Sequence, residues 1–137
     1  MMFLVVDASV WAARLVPDDI FYQPVKSWML KQQNEQSEFL SPALLLAEIG
    51  GAISRRTGEP SLGMKAIEQL QDLPDLRLVE MENLLIQEAA ELAAGLGLRG
   101  ADSVYVAVAA RLNLPLVTLD ADQKERAAQR VTVLGIA

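Results

Sequence analysis

The sequence predicts an α/β domain of three layers, with a central parallel sheet flanked by helices. Two observations carry this. Short continuous apolar runs recur along the chain, too short for helices and lacking the alternation of half-exposed strands. Longer segments with helical spacing and helix start signals lie between them, so strand and helix alternate. Right-handed crossovers then make a parallel sheet covered on both faces the economical arrangement.

The first run, residues 3–6, is apolar throughout and ends in Asp7, Ala8 and Ser9, which marks a buried strand. Similar runs at 77–79, 116–119 and 131–134, with a shorter one at 38–40, are the other strand candidates. Asp18 and Asp19 are candidate caps for a helix through residues 28–33. Ser41 and Pro42 make an N-cap and first-position pair for a helix through Ile53. Ser61 can cap another through Leu70. Residues 82–94 continue the helical pattern and stop near Gly95 and Gly97, and residues 101–112 are strongly helical. Asp120 or Ala121 starts the last helix. No repeat, low-complexity tract or linker interrupts the pattern, so residues 1–137 are expected to form one domain.

With 52% apolar residues and a mean hydropathy of +0.23, the 137-residue chain can bury a core without covalent staples. It has no Cys and no His. That removes disulfides, Cys/His zinc sites, and Ser-His or Cys-His catalytic pairs. Carboxylates, hydroxyls, Lys or Arg must carry any chemistry. The apolar start has no basic segment before it and Asp7 interrupts it, so it makes a poor signal peptide. No stretch approaches the roughly 18 apolar residues of a membrane span. The expected setting is the cytoplasm, without a membrane partner. The net charge of −6, from 18 acidic and 12 basic residues, would ordinarily argue against a polyanionic substrate, but two divalent cations bound among four of the carboxylates would make that site locally positive. Setting aside Asp7, Glu48, Asp102 and Asp120 leaves 14 acidic against 12 basic.

Those four carboxylates are the candidate site. Asp7 and Asp120 follow apolar runs and would emerge at the carboxyl edge of the sheet, where open α/β sheets place their sites. Each could equally cap the helix after it. Glu48 has Leu44, Leu45, Gly51 and Ala52 as its helical neighbours, so a charge projects from an apolar stripe and needs a cation or a salt-bridge partner. Counted from Ser41 it lies two turns into its helix, too far to be a cap. The adjacent Gly50 and Gly51 weaken a helix by about 1 kcal/mol each, which close packing on the sheet would offset. Asp102 stands in a first turn, favoured there by the helix dipole, yet Tyr105, Val106 and Ala109 put it on the inward stripe. Four such carboxylates repel one another unless cations join them. Oxygen ligands alone select Mg²⁺ or Mn²⁺ over zinc.

The segments VVDAS, LLLAEIGGAI, RGADSVYVAVA and LVTLD, in this order and at this spacing, resemble the PIN-domain family across essentially the whole chain. In its short form the chain is similar to the VapC-type toxins of prokaryotic toxin-antitoxin pairs. The resemblance implies a parallel sheet of five strands and a metal-dependent endoribonuclease. It carries metal-binding and catalytic roles onto Asp7, Glu48, Asp102 and Asp120, with Ser9 and Thr118 as supporting hydroxyls. Asp122 matches a further acidic position less closely, and an exposed helix-start Asp also explains it. Residues 59–77 carry no family marker and read as scaffold.

With no His, the nucleophile this family would use is a water activated by Mg²⁺ or Mn²⁺. Asp7, Asp102 and Asp120 would ligate the cation directly or through water, with Glu48 orienting the attacking water or a hydrated ion. One or two ions are both compatible. Arg99, three residues before Asp102, is the preferred phosphate-binding candidate, followed by Arg14, Arg55 and Arg56; solvated surface positions are the alternative for each. Trp11, Phe21, Tyr22, Trp28 and Met29 are either core or a groove for a partner's helix. The resemblance implies an antitoxin protein as partner, and a homodimer.

A phosphoacceptor receiver needs an acidic pair after the first strand, and a haloacid-dehalogenase-type phosphatase needs Asp-x-Asp. Asp7-Ala8-Ser9 supplies neither. The other reading is a PIN-like module that binds RNA or protein without catalysis; four mutually repelling carboxylates weigh against it.

Overall fold

Five apolar runs become five parallel strands. The computed structural model describes residues 2–136. In chain order it contains β1 (Phe3–Val6), α1 (Ala8–Leu15), α2 (Tyr22–Asn34), β2 (Glu38–Pro42), α3 (Leu44–Thr57) and α4 (Pro60–Gln71). These are followed by β3 (Leu76–Val79), α5 (Asn83–Leu96), α6 (Gly100–Leu112), β4 (Leu116–Val117), α7 (Ala121–Ala127) and β5 (Val133–Leu134). The sheet order is β3-β2-β1-β4-β5, with Val5 beside Leu40 on one flank and Leu116 on the other. The chain winds outward from β1 to β3, then returns to place β4 against β1. The reversal opens a crevice at the carboxyl ends of β1 and β4.

Strand side chains alternate between two cores, giving three layers. Leu4, Val6, Phe39 and Val117 pack with α1 to α4, around Trp11, Trp28 and Met29. Val5 and Leu116 face the other way, onto α5, α6 and α7. The central helix α6 is buried from Ser103 through Ala109, which is why its sequence is apolar nearly all round. Trp11 meets Phe39 edge to face at 5.7 Å, and Trp28 lies 5.8 Å from the same ring. Of the N-terminal aromatic group, Trp11, Trp28 and Met29 are therefore core, whereas Phe21 is exposed. No single helix among the described residues is long and apolar enough to cross a membrane.

Several local expectations need correction. Ser41 and Pro42 end β2 instead of starting a helix, and α3 begins at Leu44. The Ser41 hydroxyl donates to the Val6 carbonyl at 2.6 Å and accepts from the Trp11 indole N–H at 3.2 Å, so a buried partner claims the group that a cap would have used. Glu48 is then about one turn into its helix, not two. Ser61 lies inside α4, whose first residue is Pro60; a proline at that position needs no N–H partner. Asp19 accepts from the Phe21 N–H at 2.8 Å, just ahead of α2, and the helix has no side-chain cap. The helix α1 hides inside the apolar N-terminal stretch and starts directly after Asp7.

Gly50 of α3 serves a helix contact, not the sheet. A Cβ on Gly63 of α4 would lie 2.6 Å from the Gly50 carbonyl oxygen, and one on Gly50 would lie 2.7 Å from Ile67 Cδ1. Hydrogen in place of a side chain lets the two backbones approach this closely. The segment without family markers thus buttresses the helix that carries Glu48.

Candidate active site

Asp7 and Asp120 flank the crevice. Asp7 leaves β1 and caps α1, its Oδ2 accepting from the Ser9 N–H at 3.1 Å. Asp120 caps α7 through Oδ1, which accepts from the Gln123 N–H at 3.0 Å. Both capping readings hold, and capping fixes each carboxylate at the sheet edge. Thr118 ties them together. Its hydroxyl lies 3.0 Å from Asp7 Oδ2 and accepts from the Asp120 N–H at 3.1 Å. Ser9 Oγ, 3.3 Å from Thr118 Oγ1, accepts from the Leu119 N–H at 3.0 Å. The hydroxyls of Ser9 and Thr118 thus lock β1 to the segment after β4 at the crevice.

Glu48 and Asp102 approach from helices on opposite faces of the sheet. The Tyr105 hydroxyl donates to Glu48 Oε1 at 2.6 Å, joining α6 to α3. Burial pushes the Glu48 carboxyl above its ordinary range; the Tyr105 hydrogen bond opposes this, and the negative charges of Asp7 and Asp102 add to it. Asp102 is also pushed up by burial, against the hydrogen bond from Arg99, with repulsion from Asp7 and Asp120 contributing. Asp120 moves the opposite way: the backbone N–H of Gln123 and the Arg99 charge hold it below the usual carboxylate range, against some desolvation. These mutual charge effects tie the four carboxylates into one electrostatic neighbourhood.

Arg99 is the cation within it. It precedes α6, reached through a turn in which Gly97 adopts a φ of 71°. Its Nε donates to Asp102 Oδ2 at 3.0 Å and its Nη2 to Asp120 Oδ2. The other predicted arginines are not brought here. Arg14 stacks on the Tyr22 ring at 5.8 Å, Arg56 pairs with Asp19 at 3.0 Å, and Arg55 shares the last turn of α3 with Arg56. Asp122 is exposed and pairs with Arg126 at 3.0 Å, as a helix-start Asp would.

Two participants escaped the sequence reading. Tyr105 was visible only as part of an inward stripe, although its i−3 relation to Asp102 marked it as a neighbour of the site. Gln123, 1% exposed, contacts Thr118 Oγ1 at 2.9 Å. Its spacing from Ala127, buried one turn later, was the available signal.

The donor set suits a hard divalent cation. It consists of carboxylate and hydroxyl oxygens without nitrogen or sulfur, and two of its carboxyls are pushed up by burial and by negative neighbours that a cation would neutralise. Among the described residues no three acidic side chains are arranged around one point. Arg99 pairs with two of them instead.

Fold and site together define a parallel α/β domain with acidic residues gathered at its topological switch point. The chain belongs to the PIN domain family, whose sequence model matches residues 4–129. Solved structures share the fold. Mycobacterium tuberculosis VapC20, described as a sarcin-ricin-loop-cleaving toxin, is 18% identical, with a TM-score of 0.77 over 89% of this chain and 93% of its own. VapBC2 from Rickettsia felis, solved on a promoter DNA fragment, is 14% identical with a TM-score of 0.71 over 98% of both chains. FitAcB from Neisseria gonorrhoeae is 19% identical with a TM-score of 0.69 over 97% of both. No curated protein sequence matches the chain.

Proposed function

We propose that this protein is a Mg²⁺- or Mn²⁺-dependent endoribonuclease and the toxin of a type II toxin-antitoxin pair, acting in the cytoplasm. The observation that carries the reading is the approach of Asp7, Glu48, Asp102 and Asp120 to one crevice at the ends of β1 and β4, where burial raises the carboxyls of Glu48 and Asp102 and the neighbouring negative charges add to it.

Asp7, Asp102 and Asp120 would hold the cation, and Glu48, fixed by Tyr105, would orient the attacking water. When bound, the cation supplies a water of lowered pKa and shields the phosphate charge. Thr118 and Ser9 keep the Asp7 carboxylate in place. With a cation on Asp102 and Asp120, the Arg99 guanidinium would be free to hold the phosphate, for which it is well shaped.

The likeness to toxins solved with antitoxins supports an antitoxin partner. A groove of about 450 Å³ bordered by Arg14, Leu15, Lys26 and Leu30, above the buried Trp11, Met29 and Leu70, is the place where its helix would lie. A homodimer belongs to the same reading and is supported by the likeness to VapC-type toxins.

The test is cleavage of mixed RNA with Mg²⁺ or Mn²⁺, by the native protein and by Asp7→Asn and Asp102→Asn. The native protein is expected to cut only with metal, and both variants to fold and be inactive. Near-normal metal-dependent cleavage by either variant removes the assignment. Metal-stabilised melting without any cleavage favours the binding module.

A further inference from the structure

Gln123 is a buried polar side chain that neither packing nor the proposed chemistry explains. Its Nε2 has no hydrogen-bond partner, the one buried side-chain polar atom so placed among the described residues. Methionine or leucine would fill similar volume without stranding an N–H donor, so packing alone does not call for an amide.

Its partner explains it. Thr118 Oγ1 lies 2.9 Å from the Gln123 amide oxygen, 3.0 Å from Asp7 Oδ2, 3.1 Å from the Asp120 nitrogen and 3.3 Å from Ser9 Oγ. A hydroxyl has one proton and two lone pairs. The Asp120 N–H takes one lone pair. Three oxygens are in reach of the proton, the Asp7 carboxylate, the amide oxygen and, at the longest distance, Ser9 Oγ, and a carboxylate is the strongest acceptor of the three. With the proton on Asp7, a half-turn of the Gln123 amide presents its NH₂ to the second Thr118 lone pair. That turn gives Nε2 a partner and moves the amide oxygen to the place Nε2 held, where an unpaired carbonyl is better tolerated than an unpaired N–H.

We propose that Gln123 is a positioning residue: through Thr118, its amide commits the hydroxyl proton to Asp7 Oδ2 and holds that carboxylate in one orientation toward the cation. This rests on the metal-binding reading of the Asp7 cluster. Outer hydrogen bonds of this kind alter metal affinity by about 10–100-fold.

The probe is Mn²⁺ alone, with free ion read by electron paramagnetic resonance and folding by thermal melting. Gln123→Met and Gln123→Leu are expected to melt at or above the native temperature yet bind Mn²⁺ at least about 10-fold more weakly. Thr118→Val cuts the relay, so adding Gln123→Met to it should cost little more affinity. Native affinity in Gln123→Met overturns the proposal and leaves the metal reading standing. So does a full further loss in the Thr118→Val background, because the amide then acts by another route. Failure of both Gln123 variants to fold overturns it as well, since an amide acting only on Asp7 is not needed for folding. Absence of Mn²⁺ binding by the native protein overturns the metal reading and this proposal with it.

Discussion

The Tyr105 hydroxyl meets Glu48 Oε1 at 2.6 Å, linking residues 57 positions apart across the crevice. Burial and the neighbouring Glu48 charge raise the Tyr105 phenol far above its ordinary range, so it stays a donor at every working pH. Tyr105→Phe removes the donor and leaves a half-buried carboxylate without it. The metal-free variant is expected to lose about 1.5–3 kcal/mol, the range for hydrogen bonds to charged groups, toward the low end because Glu48 is partly solvated. Urea denaturation at neutral pH measures this. An unchanged midpoint would show that the bond does not form in solution.

The raised carboxyls of Glu48 and Asp102 give a pH dependence of definite sign. Between the ordinary carboxylate range, about 4, and the raised values, the unfolded chain has released protons that the folded one keeps. Stability therefore falls as pH rises through that window and is flat above it. Asp120, held low, opposes this: its contribution is present above the ordinary value and lost as pH falls through the depressed one. Glu48→Gln is expected to raise the melting temperature of metal-free protein at pH 7, with the gain vanishing near pH 4. Saturating Mn²⁺ should reverse the order at pH 7. A gain that persists unchanged at acid pH would assign the effect to packing, not charge.

Arg99 holds Asp102 Oδ2 and Asp120 Oδ2, oxygens that the proposed cation would also need. Arg99→Ala is expected to bind Mn²⁺ several-fold more tightly at low ionic strength, with the advantage shrinking as salt screens the charges. RNA binding by the same variant should weaken, because the phosphate loses its guanidinium. Mn²⁺ titration of Arg99→Ala alone, and RNA binding with and without Arg99→Ala in the Asp7→Asn background, which is expected not to cleave, separate the two effects. Unchanged Mn²⁺ affinity would show that Arg99 does not hold those carboxylates in solution.

Asp7 and Asp120 were legible because each ends an apolar run, and a parallel sheet directs all such ends to one edge. Glu48 and Asp102 were legible from helical neighbours alone. Gln123 was not, since a glutamine on a short helix reads as surface until Thr118, near in sequence but in a different element, is seen to bond it. Ser41 misled for a related reason. Its hydroxyl suits a helix cap, and only the fold reveals that Trp11 and Val6 compete for it. Local pattern specifies which face a residue takes, whereas the partner on that face is set by how the chain folds back, whether five residues away as for Gln123 or 35 as for Ser41 and Val6.

The glycines of α3 and α4 show the same limit and provide a stability test away from the site. At Gly63 an added Cβ meets the Gly50 carbonyl oxygen at 2.6 Å, and backbone cannot move aside cheaply. At Gly50 the obstacle is Ile67 Cδ1 at 2.7 Å, the end of a flexible side chain. Alanine gains about 1 kcal/mol of helix propensity at either position. Overpacking of about 1–3 kcal/mol should outweigh this at Gly63, while at Gly50 the two effects nearly cancel. Gly63→Ala is therefore expected to be the less stable by urea denaturation, with Mn²⁺ affinity unchanged in both variants. The reverse order would mean that α4 does not lie on α3 with its glycine against the Gly50 carbonyl.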